Sequence, residues 1–186
     1  MILSLFAALQ AWCLLLCAWV AADLWTAHFH WLEDTYEVRP LVLLCHNRRH
    51  HLRPREMTKS SMLGNISTTL PFAAICILIG LPPLWIICCS VSNYMHRMAH
   101  EPHPPFWYTC ICACGLAQTA EHHRRHHMKD SRILPNTLSH YGVMCPLTNY
   151  TLDYICYWRA LEYAVQLVTG VKPRGRPDSL VHKECL

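Results

Sequence analysis

The sequence predicts an all-α membrane protein with few transmembrane or re-entrant helices, and three observations support this fold class. The chain has 186 residues, which suits one domain or one compact membrane protein. Hydrophobic residues make up 53% of the chain and charged residues only 15%, and the apolar residues are gathered in long runs. No Lys or Arg precedes Arg39, so the net charge of +4 lies outside the first apolar run. Such a distribution fits anionic lipid head groups, and we predict no nucleic-acid partner.

The first apolar run, Ile2–Trp25, predicts an N-terminal transmembrane helix over residues 1–22. It offers about 21 residues before its first acid, Asp23, and a helix of that length crosses a bilayer. A cleaved signal peptide is the alternative, because the letters VAA before Asp23 resemble a cleavage site. The length of the run and the lack of a basic segment before it favour the transmembrane helix.

The second apolar run predicts a helical hairpin over 66–100, because Gly80, Pro82 and Pro83 interrupt it. Proline lacks a backbone donor, so the Pro pair is expected to end the first helix of the hairpin. One kinked span is the alternative. A third run, 105–120, is too short for a comfortable crossing and predicts an interfacial helix.

Leu152–Gly170 predicts an amphipathic helix that stops at Gly170, and residues 175–186 are interpreted as a basic C-terminal tail. Basic residues of the loops and tail are expected on the cytosolic side. A hairpin that returns the chain to the face it left brings every polar loop to that side, which predicts an integral, multi-pass protein. Cysteines within apolar runs are expected to be reduced, namely Cys13, Cys17, Cys76, Cys88, Cys89, Cys110, Cys112 and Cys114.

The histidines carry the functional information. Twelve of the fourteen lie between His28 and His127, and all of these but His103 fall in four clusters that read HFHWLEDT, HNRRHH, HRMAH and HHRRHH. Residues three or four positions apart share one face of a helix. Ligands on a common face are therefore predicted for His30 with Asp34, for His96 with His100, and for His123 with His126 and His127.

Such a set of histidines is typical of a metal site. Imidazole suits iron, zinc and other transition metals, and a nearby carboxylate commonly orients the ring. A pool of about nine or ten nitrogen ligands exceeds the four of a tetrahedral zinc site, so it fits two metals. Zinc would suit hydrolysis and iron oxygen chemistry, and the residues leave that choice open. HHRRHH alone could instead be a basic patch against lipid phosphates, and His28 and His103 are interpreted as hydrogen-bonded core residues.

In order along the chain, the segments HFHWLEDT, RRHHLRP, NYMHRMAH, EHHRRHH and YWRALEYAVQLVTGVKPR resemble the Kua/CarF family. The resemblance implies a lipid desaturase domain over 23–174. Animal members are plasmanylethanolamine desaturases, and plant members desaturate an acyl chain of plastid phosphatidylglycerol. The family thus implies an O2-dependent oxidoreductase with two iron ions, which receives electrons from cytochrome b5 or a ferredoxin and resides in the endoplasmic reticulum membrane.

The resemblance also implies the site residues. The implied metal ligands are His30, His50, His51, His96, His100, His123, His126 and His127. Further candidates, in the site or next to it, are Asp34, His46, His122 and His140. No catalytic residue separate from the ligands is expected. The segment after the last histidine cluster matches the family only loosely, which leaves the substrate open.

The implied reaction introduces a double bond into a glycerophospholipid chain and gives a plasmalogen vinyl ether or an acyl alkene. Arginine pairs well with phosphate, and the candidates to hold the lipid head group are Arg48, Arg49, Arg53 and Arg124. A di-iron hydroxylase would use the same ligands, a membrane zinc hydrolase would need no O2, and a metal carrier or adaptor would show no turnover. Asn65 and Asn149 head glycosylation sequons, which we interpret as chance matches because both would face the cytoplasm.

Overall fold

The computed structural model describes residues 2–36, 53–127 and 140–173, and within these ranges the protein is helical and has no strand. The predicted all-α class is therefore confirmed. In chain order the elements are α1 (Ile2–Thr35), a 3-10 helix (Pro54–Lys59), α2 (Met62–Ser67), α3 (Leu70–Leu78), α4 (Pro83–His100), α5 (Phe106–Ala113), α6 (Ala120–His127), α7 (Pro146–Tyr154) and α8 (Tyr157–Thr169).

Helix α1 is the one helix of the described ranges that is long and apolar enough to cross a membrane, over Ser4–Thr35. Its 34 residues extend about 50 Å. The helix continues well past residue 22, so the predicted boundary between residues 22 and 23 lies inside one helix. Residues 4–14 are exposed, whereas much of the C-terminal half is covered by other helices. The number of crossings and the cytosolic placement stay predictions.

The predicted hairpin consists of α3 and α4, but its turn is built differently from the prediction. Helix α3 ends at Leu78, and Gly80 follows with a φ of 76° in the left-handed region, where glycine commonly closes a helix. Pro82 and Pro83 open α4 instead of ending α3. The expectation for the Pro pair was therefore wrong, because proline fits the first turn of a helix, where its missing N–H has no partner to lose.

Helix α4 packs along α1 and forms the main apolar interior with it. The buried residues of this cluster are Ala22, Cys88, Cys89, Met95, Met98, Tyr108, Ala117, Val143 and Met144. The turn before α6 is tied to the interior, because Trp19 Nε1 donates to the Leu116 carbonyl at 2.8 Å and Tyr108 Oη donates to the Gln118 carbonyl at 2.8 Å. All eight cysteines that were predicted to be reduced are free.

Two other predicted helices are interrupted. The run 105–120 is helical only over Phe106–Ala113, because the chain turns at Gly115 with a φ of 71°. Leu152–Gly170 is not one helix: Cys156 adopts a φ of 52°, which separates α7 from α8. Gly170 ends α8 in the left-handed conformation, as predicted.

Helix α8 covers the C-terminal part of α1 through aromatic side chains. Trp158 is 1% exposed and stacks on Trp31 with ring centroids 6.0 Å apart. Tyr141 lies edge-on to Trp158 at 5.0 Å. The sequon residues Asn65 and Asn149 are buried, so neither amide is accessible for glycosylation in the folded chain.

Candidate metal centre

Three helices bring polar side chains to one place in an otherwise apolar interior. Helix α1 contributes residues from its C-terminal end, α4 from its last two turns, and α6 from His123 to its end. The spacing of three or four residues puts these side chains on the helix faces that meet. As a result, seven of the side chains predicted from the sequence converge in two adjacent groups.

The four-histidine group consists of His96, His100, His123 and His127. His123 Nε2 lies at its middle, 2.8 Å from His96 Nε2, 2.9 Å from His100 Nε2 and 3.0 Å from His127 Nε2. His100 Nε2 lies 3.3 Å from His96 Nε2. Metal–nitrogen bonds of about 2.1 Å that meet at about 90–110° place their nitrogens about 3.0–3.4 Å apart. The group therefore has the spacing of ligands around one transition-metal ion.

The His30 group consists of His30, Asp34 and His126. His126 Nε2 lies 3.2 Å from His30 Nε2 and 3.2 Å from Asp34 Oδ2, and His30 Nε2 lies 3.6 Å from the same oxygen. Both histidines are buried and Asp34 nearly so. Two nitrogens and one carboxylate oxygen suit iron, zinc or a similar ion and leave positions for further ligands.

The four-histidine group and the His30 group lie side by side. The His30 and His96 rings are 5.5 Å apart, and the His123 and His126 rings are 5.8 Å apart, between centroids. Histidines of α6 therefore serve both groups. This donor set fits two neighbouring transition-metal ions better than one, because seven donor atoms exceed the four of a tetrahedral site.

The environment of His123 favours the neutral form, which is the form of imidazole that binds metal. Burial, followed by the neighbouring His100 and His127, holds the pKa of His123 well below its usual value. A neutral imidazole has one nitrogen free to bind a cation. His30 Nδ1 donates to the Tyr141 carbonyl at 3.0 Å, so its lone pair is on Nε2, the atom that faces the group.

His122 and His140 lie beside the two groups rather than in them. His122 Nε2 accepts from Asn149 Nδ2 at 3.1 Å, and its ring stacks on His140 with centroids 4.3 Å apart. His140 Nδ1 donates to Asp153 Oδ2 at 2.6 Å. Burial and then the nearby His140 lower the pKa of His122 to about 4. Both rings are thus held by neighbouring side chains.

Other predicted site residues lie on the surface or outside the described ranges. Arg53 and Arg124 are exposed, and each pairs with a glutamate of its own segment, Glu56 at 3.2 Å and Glu121 at 2.8 Å. The predicted residues outside the described ranges are His46, Arg48, Arg49, His50 and His51.

Of the two histidines interpreted as hydrogen-bonded core residues, His28 is hydrogen-bonded through both ring nitrogens but only half-buried. His28 Nδ1 donates to the Leu24 carbonyl at 2.7 Å, and its Nε2 accepts from Tyr157 Oη at 2.7 Å. His103 is exposed, so the core interpretation was wrong for it.

Residues of the C-terminal segments that were not predicted from the sequence support the two groups. Among them, the Tyr141 carbonyl orients His30, and Asn149 and Asp153 hold His122 and His140. A main-chain acceptor leaves no side-chain signature. Asn149 lies in a sequon, a pattern that indicates glycosylation and gives no indication of a buried, hydrogen-bonded amide.

Comparison with known proteins identifies the family of sequences that this chain resembles. The pattern of the lipid desaturase domain matches residues 19–176. Over 174 residues, 84% of this chain and 82% of the relative, the chain is 31% identical to a "Probable fatty acid desaturase" of Acanthamoeba polyphaga mimivirus. It is 25% identical to the plasmanylethanolamine desaturase of Myxococcus xanthus and to plasmanylethanolamine desaturase 1 of Mus musculus, over 86% and 84% of this chain. The chain spans 62% and 65% of the length of those two relatives. No solved structure matches it.

Proposed function

Because the chain belongs to the lipid desaturase domain family, we propose that it is a membrane di-iron, O2-dependent desaturase that acts on a glycerophospholipid. The observation that carries the proposal is the convergence of six histidine Nε2 atoms and one aspartate oxygen in two adjacent groups. The family resemblance and the desaturase-type oxidoreductase predicted from the sequence are confirmed by these comparisons. The metal, the oxidant and the substrate are the proposed part.

The reaction removes two vicinal hydrogens from an unactivated chain. Overall, CH2–CH2 and O2, with two electrons and two protons, give CH=CH and two waters. No amino-acid side chain is a strong enough oxidant, so bound iron with O2 supplies the oxidising power. Cytochrome b5 or a ferredoxin is the proposed electron donor, and relatives named plasmanylethanolamine desaturase make an ether lipid one candidate substrate.

The protein's own residues hold and shape the site. His96, His100, His123 and His127 would hold one ion, and His30, Asp34 and His126 would hold the other, with His50 and His51 proposed as additional ligands. Burial of the groups excludes bulk water and strengthens the interaction between ligand and ion. We place the site at the cytosolic face of the endoplasmic reticulum membrane, where a lipid chain enters from the bilayer beside α1. Arg53 and Arg124, both exposed, are proposed contacts for its phosphate.

Two other functions share parts of this site. A di-iron lipid hydroxylase would use the same ligands, and only its product, an alcohol instead of an alkene, differs. A membrane zinc hydrolase is compatible with the four-histidine group, because four nitrogens suit tetrahedral zinc. It would need neither O2 nor a reductant.

The test is elemental analysis of detergent-purified protein expressed with ample iron, followed by lipid product analysis with O2 and a reductant. Wild-type protein is expected to contain about two irons per chain, as two groups of this composition imply. His123→Ala with His127→Ala should remove the iron of the four-histidine group. His103→Ala is the matched control, because His103 is exposed and outside both groups. Stoichiometric zinc in the wild type would refute the desaturase proposal, and an alcohol product would favour the hydroxylase.

A further inference from the structure

A carboxylate two turns before His30 is buried in the apolar interior without belonging to either metal group. Asp23 is on α1 and fully buried. A buried carboxylate is costly unless it accepts hydrogen bonds. Asp23 Oδ1 accepts from the Met144 amide at 2.8 Å, and Oδ2 accepts from the Cys145 amide at 3.1 Å. These amides stand at the start of α7, where the helix favours a negative charge.

The segment that Asp23 holds returns to α1 and contacts His30. Three residues before Met144, the Tyr141 carbonyl accepts from His30 Nδ1 at 3.0 Å. Asp23 and His30 are seven residues apart, about 10 Å along the helix. One helix therefore holds the segment 141–145 through Asp23, and the segment in turn orients a side chain of the same helix.

The segment has little freedom between these two contacts. Asn149 Oδ1 accepts from the Gly142 amide at 2.6 Å, and Asn149 Nδ2 donates to the Gly142 carbonyl at 2.9 Å. A Cβ atom on Gly142 would lie 2.8 Å from Asn149 Oδ1 and 2.9 Å from Asp23 Oδ2. Only a residue without a side chain fits between the amide oxygen of Asn149 and the carboxylate oxygen of Asp23, so the closeness of these two residues depends on Gly142.

We infer that Asp23 is a positioning residue for the His30 group, acting through the backbone of segment 141–145. It fixes the Tyr141 carbonyl, which fixes the ring plane and the tautomer of His30 and thereby aims Nε2 at His126 and Asp34. The inference rests on the proposed metal site. The hydrogen bond from His30 Nδ1 to the Tyr141 carbonyl joins the segment 141–145 directly to the His30 group, so loss of Asp23 is expected to act first on that group.

The test is a Co2+ titration of metal-stripped, full-length protein in detergent, followed by visible absorption. Wild-type protein is expected to bind two ions. Asp23→Ala is expected to bind one ion normally and the second about 10- to 100-fold more weakly, the usual effect of losing a partner that orients a ligand. Ile86→Ala truncates a buried side chain in a separate hydrophobic cluster. It controls for lost stability and should bind both ions as the wild type does.

Two further variants keep the test decisive if Asp23→Ala does not fold. Asp23→Asn keeps one acceptor oxygen but turns its NH2 group toward a backbone amide donor. The affinity for the second ion should therefore fall at least about threefold. Asp23→Asn combined with His30→Ala should bind the second ion no more weakly than His30→Ala alone, because both changes act through one side chain. Additive losses would overturn the inference.

The outcomes separate the positioning role from the proposed function. If Asp23→Ala and Asp23→Asn bind both ions as tightly as the wild type does, the positioning role of Asp23 is overturned and the proposed desaturase function stands. No metal in the wild type would refute the function. Hydrogen exchange at the Met144 and Cys145 amides then still decides whether Asp23 holds the segment: faster exchange in Asp23→Asn supports the contact, and unchanged exchange refutes it.

Discussion

Replacement of Gly142 by alanine tests the most crowded glycine among the described residues. The added Cβ would lie 2.8 Å from Asn149 Oδ1 and 2.9 Å from Asp23 Oδ2. Neither oxygen is the free end of a flexible side chain. Asn149 holds both main-chain groups of Gly142, and Asp23 holds two amides at the start of α7. The methyl group can be accommodated only if one of these buried contacts lengthens.

The expected loss of stability follows from the contacts that must move. Overpacking of a well-filled interior costs about 1–3 kcal/mol, and a buried hydrogen-bonding group that loses its partner costs about 1–3 kcal/mol. We therefore expect Gly142→Ala to lower the free energy of unfolding by about 3 kcal/mol. For a chain of this size, 1 kcal/mol corresponds to about 2–4 °C, so Tm should fall by about 6–12 °C.

The assay is thermal unfolding in detergent, and Gly115→Ala is the matched control. Gly115 adopts a φ of 71°, but its Cβ would meet nothing within 4 Å. The control therefore loses stability through backbone strain alone, about 1–2 kcal/mol. If Gly142→Ala unfolds at the same temperature as Gly115→Ala or above it, the crowding at Gly142 does not exist in the protein.

Three further predictions follow from how exposed or buried each side chain is. Trp158→Ala removes a side chain that is 1% exposed and stacks on Trp31, so chemical denaturation should show a loss of about 3–5 kcal/mol; a loss below about 1 kcal/mol would contradict this packing. Arg124→Ala breaks an exposed pair with Glu121 and should change stability by less than about 1 kcal/mol, whereas a rise in KM for phospholipid with an unchanged kcat would support its proposed head-group role. Asn149 should carry no glycan after expression in eukaryotic cells, because it is buried; a mobility shift on glycosidase treatment that disappears in Asn149→Gln would refute that.

The sequence predicted the helices and the shared helix faces of the histidines better than the turns between the helices. Apolar periodicity and histidine spacing are local signals, and they identified the hairpin of α3 and α4 and the pairing of His96 with His100. The course of the chain at Cys156 depends on how α7 and α8 pack, and a φ of 52° at a non-glycine residue has no local signature. One continuous amphipathic helix was therefore predicted where two exist.

The role of Asp23 could not be predicted from the sequence for a similar reason. Asp23 was interpreted only as the first acid after an apolar run, which marks the end of a membrane span in most sequences. Its partners are amides about 120 positions later in the chain. Contacts of a carboxylate with main-chain groups so distant in sequence cannot be inferred from residue types, because any residue supplies the same amide.

The arrangement on α6 explains why the four-histidine group and the His30 group are neighbours. The spacing rule predicts that His123, His126 and His127 share one broad face of the helix, as they do. Their angular positions on that face differ, however: at 100° per residue, His126 is offset by about 60° from His123 and by about 100° from His127. That offset lets His123 and His127 meet α4 while His126 meets α1. The geometry of this eight-residue helix thus sets the distance between the two groups. Insertion of one residue between His123 and His126 would rotate His126 and His127 by about 100° relative to His123. The two groups could then not both keep their partners, although the composition of the segment would hardly change.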